Sequence, residues 1–299
     1  MKQIETFLQY IRYELNYSVH TVLSYRKDLL QFADYVGRGG EDDDLSDLGL
    51  PEIRGWVYDL GKNRHLAVSS VRRKVQSLRA FYRYLLKRGL VKANPVEDLP
   101  LAKQPRRLPV FLREKSLDEV LDAPLDADSF TEVRDRLVVM MFYETGIRRA
   151  ELVGIKNSDI NTKNRELKVH GKRNKDRIVP FCDELGELIE RYRTLREAYE
   201  PVEDDVFFLT DKGAPIYTGK VYGIVRDALS PVTQGKRSPH TLRHSFASAM
   251  LNHGAGINSV KELLGHESLS ATQIYTHITY SELKNNYQHA HPRALKKGG

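Results

Sequence analysis

Four short stretches of this 299-residue chain carry side chains suited to handling a phosphate. "TGIRRAEL" (145–152) sets Arg148 just past Gly146 at the start of a helix. A helix N-terminus already favours an anion, and a guanidinium adds a planar fork for its oxygens. "HGKRNKDR" (170–177) puts Lys172 and Lys175 at a basic hairpin tip, able to reach a groove or donate a proton, and equally at home in a solvated turn. "SPHTLRHSFASAML" (238–251) begins at a helix start, with His240 and Arg243 three apart and so on one side. "GHESLSATQIYTHITYSEL" (265–283) adds His266 on a turn behind Gly265, then Tyr275 and Tyr280. Singly, each stretch also fits an ordinary surface cluster or a buried structural histidine.

Together, two arginines, two histidines, a lysine and a tyrosine, without a carboxylate set for a metal, suit phosphoryl transfer to a protein hydroxyl. Cationic donors would neutralise charge spread over the phosphoryl oxygens. A tyrosine, with an ordinary pKa of ~10, needs help losing its proton. The leaving oxygen needs an acid, a role open to Lys172. His240 and His244 have zincin spacing, but Thr241 stands where that motif requires Glu, so neither a metal nor any other cofactor is expected. The residues alone leave Tyr275 and Tyr280 unresolved, because a tyrosine is most often a half-buried aromatic.

Helices must position these groups. Ser18 can cap a helix in which Val22, Tyr25, Leu29, Phe32, Ala33 and Val36 recur at helical spacing. Pro51 opens a short helix carrying Trp56, after an acidic loop at 39–47. "SSVRRKVQSLRAFYRYLLKRG" (69–89) places Val71, Val75, Leu78, Phe81 and Leu85 on one stripe and Arg72, Gln76, Arg79 and Arg83 on another. Arg72, Arg79 and Arg83, with Lys175, are the candidate DNA contacts, although a basic face is also ordinary solvated surface. Residues 91–112 hold four prolines and no period, which predicts an extended linker and a domain boundary at 106. Beyond it, a buried helix over 131–144 is stopped by Gly146, and 165–180 alternates on both sides of "GKRN" as a hairpin. The tail 281–299 predicts a short helix opened by Ser281, with Leu283 and Tyr287 on one side, ending near Pro292. The expected fold is mainly α: an all-α domain over 1–106, then a mostly α domain over 107–299 with a small antiparallel sheet.

Composition sets the frame. Charged residues at 29% and hydrophobic ones at 40% describe a soluble globular chain of about two domains. A net charge of +7 leans toward polyanionic partners. The single Cys182 excludes an intramolecular disulfide and fits a reducing cytoplasm. No run of ~18 apolar residues or signal-peptide layout is present, so no membrane partner is expected.

Arg148 in "TGIRRAEL", Lys172 in "GKRNK", "HTLRH" (240–244), "LLGH" (263–266) and "TQIYTH" (272–277) resemble, in order and spacing, the tyrosine recombinases. The tail "NNYQHAHPRA" (285–294) is most similar to that of bacterial Xer recombinases, which resolve chromosome dimers. The resemblance spans the whole chain, including a helical core-type DNA-binding domain at the N-terminus. It implies that Arg148 and Arg243 clamp the scissile phosphate, with His240 and His266 bonded to it and His240 taking the nucleophile's proton. It further implies that Lys172 protonates the 5′-hydroxyl and that Tyr275, rather than Tyr280, forms a 3′-phosphotyrosyl link. Partners implied are a double-stranded DNA site, a homo-tetramer or a hetero-tetramer with a second related recombinase, and a DNA translocase at the division septum. The tail would dock into a neighbouring protomer. Two positions depart from the family pattern: Arg173 replaces the second Gly of a usual Gly-Lys-Gly, and Arg149 is an unusual neighbour for Arg148.

Other readings use similar residues. A type IB topoisomerase usually carries Lys where His240 stands and lacks the "HPRA" tail, and a decayed DNA-binding accessory protein would not keep all six positions filled. A mobile-element integrase or invertase is closer. Integrases often add an N-terminal arm-binding module, whereas this sequence starts with the helical domain, which favours the Xer role.

Overall fold

The computed structural model describes residues 2–40, 44–102, 111–171, 176–199, 205–265 and 280–295. The chain divides into two compact units, Met1–Arg107 and Leu108–Gly299. The fold is mainly α, with one small antiparallel sheet, as expected from the sequence.

The first unit is helical: α1 (Lys2–Gln9), α2 (Val19–Tyr35), α3 (Leu50–Tyr58) and α4 (Val68–Lys87). Ser18 caps α2 by accepting from the Thr21 N–H at 3.2 Å. The apolar stripes meet in a core of Phe7, Phe32, Trp56, Leu78 and Phe81. One polar group sits inside it: Asp28, 1% exposed, accepts from Arg73 (2.8 Å), Lys74 (2.9 Å) and Ser77 (3.2 Å), joining α2 to α4. A buried carboxylate is tolerable there because cations and donors surround it.

Residues 91–102, expected as part of an extended linker over 91–112, instead pack on the first unit. Val96 and Leu99 are buried in the first core, and the basic face of α4 holds the backbone around them. Arg79 donates to the Val96 carbonyl at 3.0 Å, Arg72 to that of Ala102 at 3.0 Å, and Arg83 pairs with Glu97 at 3.1 Å.

The second unit is built around α6 (Phe130–Thr145), which is buried on nearly every side and so runs through the core. α5 (Glu114–Leu121) precedes it, and α7 (Arg149–Val153) follows after Gly146. A single 3-10 turn, Asn157–Asp159, leads into β1 (Ile160–Asn161), which pairs with β2 (Glu166–His170), and β2 with β3 (Asp176–Pro180). α8 (Asp183–Arg196), α9 (Thr218–Ala228) and α10 (Pro239–Asn252) pack on α6, and α11 (Ile257–Leu264) ends at Gly265. No helix among the described residues is long and apolar enough to cross a membrane.

α12 (Tyr280–Ala290) and α13 (Pro292–Leu295) complete the unit. Ser281, expected as a cap, lies inside α12, because helical geometry already includes Tyr280. Leu283, Tyr287, His291 and Arg293 are buried against the chain's own unit. His291 stacks on Tyr287 at 5.0 Å and accepts from the Arg293 N–H at Nδ1, so its Nε2 carries the proton and donates to the Tyr143 carbonyl. Burial pushes the His291 pKa down to about 3, keeping the ring neutral. Arg293 pairs with Asp122 at 2.8 Å, with Asp118 at 3.3 Å, and with Glu184.

Candidate active site

Gly146 ends α6 with φ +59°, a conformation that glycine adopts without strain. A Cβ there would also lie 2.8 Å from the Leu264 side chain and press on Phe246. The glycine therefore lets the α6–α7 corner seat directly against α10 and α11. Two residues later Arg148 occupies the N-cap of α7, as its position after Gly146 predicts.

The N-terminus of α7 is not left open for an external anion. The Arg148 N–H donates to Glu151 at 2.7 Å, and the Arg148 guanidinium pairs with the same carboxylate at 2.7 Å. Arg177, on β3, grips Glu151 with both terminal nitrogens at 3.0 and 2.9 Å. Burial pushes the Glu151 pKa up, but bonds from Arg177 and Arg148 more than offset this and hold it at about 2. Glu151 is thus an ionised anchor at the centre of the arginines.

The same arginines converge on the C-terminus of α11. Arg177 donates to the Leu263 carbonyl at 2.7 Å, Arg243 to Leu264 at 2.8 Å, and Arg148 to Gly265 at 2.8 Å. Arg243 also donates to the Gly146 carbonyl at 2.5 Å, closing the corner onto the helix end. A helix C-terminus carries partial negative charge and unpaired carbonyls, so it attracts cations. Three guanidiniums around one carboxylate leave the cluster net positive. Arg243 is only 7% exposed, and burial, then repulsion from Arg148, lowers its pKa to about 10, still charged at neutral pH. Arg148 keeps 40% of its side chain exposed, the more accessible fork of the two.

His240 lies in the first turn of α10, whose N-cap Ser238 accepts from the Thr241 N–H at 3.3 Å. Its ring makes no hydrogen bond with another described residue and is exposed, whereas Arg243 three residues on is buried. Its pKa is lowered by partial burial first, then by the positive field of Lys236, His244, Arg243 and Arg149. A neutral imidazole beside cations can accept a proton, which a general base requires.

The structure thus brings Arg148 and Arg243 together, with His240 within the field of Arg243. Lys172, Lys175, His266 and Tyr275 lie outside the described residues, although His266 follows Gly265 directly in sequence. Sequence reasoning missed Glu151 and Arg177. The signals available were the Arg-x-x-Glu spacing at 148–151 and an Arg in a strand position beside the hairpin tip. Arg72, Arg79 and Arg83 are placed on the 94–102 segment, as described above.

Known proteins match this chain in sequence and in fold. The "Phage integrase family" model matches residues 110–282, and "Phage integrase, N-terminal SAM-like domain" matches residues 4–89. The chain belongs to the phage integrase family and is a tyrosine-type site-specific DNA recombinase. Among its relatives, "Tyrosine recombinase XerC" of Lactobacillus delbrueckii subsp. bulgaricus is 38% identical over 294 residues, covering 97% of this chain and 98% of that protein. The protein of the same name in Pediococcus pentosaceus is 36% identical, covering 98% and 99%. The XerH site-specific recombinase, in a post-cleavage complex with a palindromic difH substrate, shares the fold at a TM-score of 0.70 and 20% identity, covering 99% of this chain and 83% of that one.

Proposed function

We propose that this recombinase resolves chromosome dimers, acting on double-stranded DNA through the six residues matched to the family motif. The observation that carries the site assignment is the convergence of Arg148 and Arg243 on the α11 end, immediately before His266. Arg148 and Arg243 clamp the non-bridging oxygens of the scissile phosphate, with His240 and His266 hydrogen-bonded to it. The Tyr275 oxygen attacks phosphorus and passes its proton to His240. The bond from phosphorus to the 5′-oxygen breaks, and that oxygen takes a proton from Lys172. The 3′-phosphotyrosyl link retains the phosphodiester's energy, so rejoining needs no nucleotide. On a nicked suicide duplex, adduct formation should proceed in excess EDTA without ATP. Activity lost in EDTA and restored by magnesium would refute the arginine-clamp mechanism. Sequencing the trapped DNA tests the biological role: recovery of mobile-element ends in place of a recurring chromosomal site would overturn it.

The resemblance to Xer recombinases implies a tetramer on DNA, of one recombinase or of two related ones, with a septal DNA translocase as the regulator this role would call on. In that assembly the tail passes to the neighbouring protomer, head to tail. Arg293 pairs with Asp118, Asp122 and Glu184 of its own unit, and an identical incoming tail would re-form the same ion pairs in the neighbour. Deleting 282–299 should leave binding to one half-site near wild type and abolish cooperative binding to two, read on native gels with a melting curve alongside. A truncated chain that still assembles, or that unfolds, sinks the exchange.

The basic face of α4 is proposed to touch the DNA backbone with donors left beyond its intramolecular bonds. An Arg has five N–H groups, and Arg72 spends one on Ala102. Replacing Arg72, Arg79 and Arg83 by Ala should flatten the salt dependence of binding by roughly one unit of slope for each phosphate no longer neutralised. An unchanged slope with a lowered melting temperature would leave them as clips for 94–102 alone.

A further inference from the structure

Arg177 faces Val169 across the β2–β3 ladder, and its side chain reaches from the sheet to the end of α11. All three of its side-chain nitrogens are engaged. Nε donates to the Leu263 carbonyl at 2.7 Å, and the two terminal nitrogens donate to Glu151, one to each carboxylate oxygen, at 3.0 and 2.9 Å. The guanidinium packs against Gly265, where an added Cβ would come within 3.0 Å of a terminal nitrogen and 3.3 Å of the central carbon. Gly265, at φ +64°, therefore serves both the helix end and the seat of this arginine. The Arg177 side chain is 12% exposed against 40% for Arg148, so it is Arg148 and not Arg177 that can meet a phosphate.

Glu151 creates a conflict that Arg177 resolves. Its carboxylate braces Arg148 twice, at the backbone N–H and at the guanidinium. As an anion 6% exposed, it also opposes the positive charge that Arg148 offers, in a place where water screens little. Arg148 and Arg177 meet on the same oxygen, Oε1, so the second guanidinium shares the carboxylate with the first. Burial would push Glu151 toward protonation, and bonds from Arg177 lead those that keep it ionised. We propose that Arg177 is a positioning residue that offsets Glu151, so that the carboxylate braces Arg148 without cancelling its charge at the scissile phosphate. This rests on the reading of Arg148 and Arg243 as the clamp. Three guanidiniums and one carboxylate carry the same net charge as those two arginines alone. The bond to Leu263 adds a geometric part, since Arg148 and Arg243 donate to the next two carbonyls of the same helix end.

The test asks whether the two charges cancel. Single-turnover cleavage of a nicked suicide duplex at saturating protein, affinity for the uncut duplex and thermal melts are measured for each variant. Arg177→Met should slow cleavage by about 10–10²-fold, because the unopposed carboxylate then draws on Arg148 alone. Its affinity for uncut duplex should stay near that of the wild type. Combining Arg177→Met with Glu151→Gln removes both charges and should regain most of the lost rate, although the Leu263 carbonyl still lacks its donor. A purely structural tie gives the opposite result, since the second change restores none of the lost bonds. A double variant no faster than Arg177→Met, or Arg177→Met cleaving like the wild type, overturns the offsetting role. Should Arg177→Met melt below the assay temperature, the double variant is set against the wild type. Cleavage within about tenfold, or ~1.4 kcal/mol of barrier, then supports the role, and a deeper loss overturns it. Arg148→Met tests the clamp itself: if it cleaves like the wild type, that reading is wrong, and the role of Arg177 falls with it.

Discussion

Tyr275→Phe is expected to eliminate the detergent-resistant protein–DNA adduct on a nicked substrate, whereas Tyr280→Phe retains it. The pair is informative because the substitution is the same and the sites lie five residues apart. Tyr275 stands nine residues after His266, at the motif's nucleophile position, and Tyr280 falls outside the motif. Tyr280 begins α12, where burial first, then the nearby Glu166 carboxylate, push its pKa upward. A phenol that resists ionisation is a poor nucleophile. Removing the attacking oxygen leaves no covalent route, so the adduct should fall below detection while binding to uncut DNA persists. An adduct at wild-type level in Tyr275→Phe would overturn the assignment.

Arg243→Ala should lower single-turnover cleavage by at least about 10²–10³-fold, the loss typical of one preorganised charge-stabilising donor. It should also destabilise the second unit, because the buried Gly146 and Leu264 carbonyls both lose a donor. An unsatisfied buried polar group costs about 1–3 kcal/mol, visible as a lower melting temperature. Arg243→Lys keeps the charge but not the planar fork, so it should recover stability more than cleavage. Stopped-quench cleavage and thermal melts of the three proteins read the two effects separately. Cleavage by Arg243→Ala within threefold of wild type, despite a lowered melting temperature, would reduce this residue to a structural tie.

What the sequence made legible follows from where the determining forces are local. α6 and its stop could be read because an apolar run and a left-handed glycine act within a few residues. The corner at Arg148 followed from that stop. β1, two residues long, was not legible, since so short a strand has no period and exists only through pairing with β2. Glu151 and Arg177 escaped because their meaning lies in a bond between elements 26 residues apart. The face of Arg72, Arg79 and Arg83 was recognised as basic, but amphipathicity does not say that 94–102 lies across it. For Lys172, His266 and Tyr275 the assignment rests on the motif, and for Lys175 on its place in a basic hairpin tip.

The arginine grip has a consequence for the order in which the enzyme comes into being. Its bonds join residues 86, 97 and 117 positions apart, from Arg177 to Leu263, Arg243 to Gly146 and Arg148 to Gly265. Pairings of such sequence separation form late, since closing long loops must precede them. During synthesis, which proceeds from the N-terminus, Arg148, Glu151 and Arg177 emerge well before α10 and α11 exist to complete the cluster. A nascent or half-folded chain can therefore present basic surface to DNA before it holds an assembled phosphate grip. On the proposed mechanism, cutting competence arrives only with the last quarter of the polypeptide, which supplies α10, α11 and Tyr275.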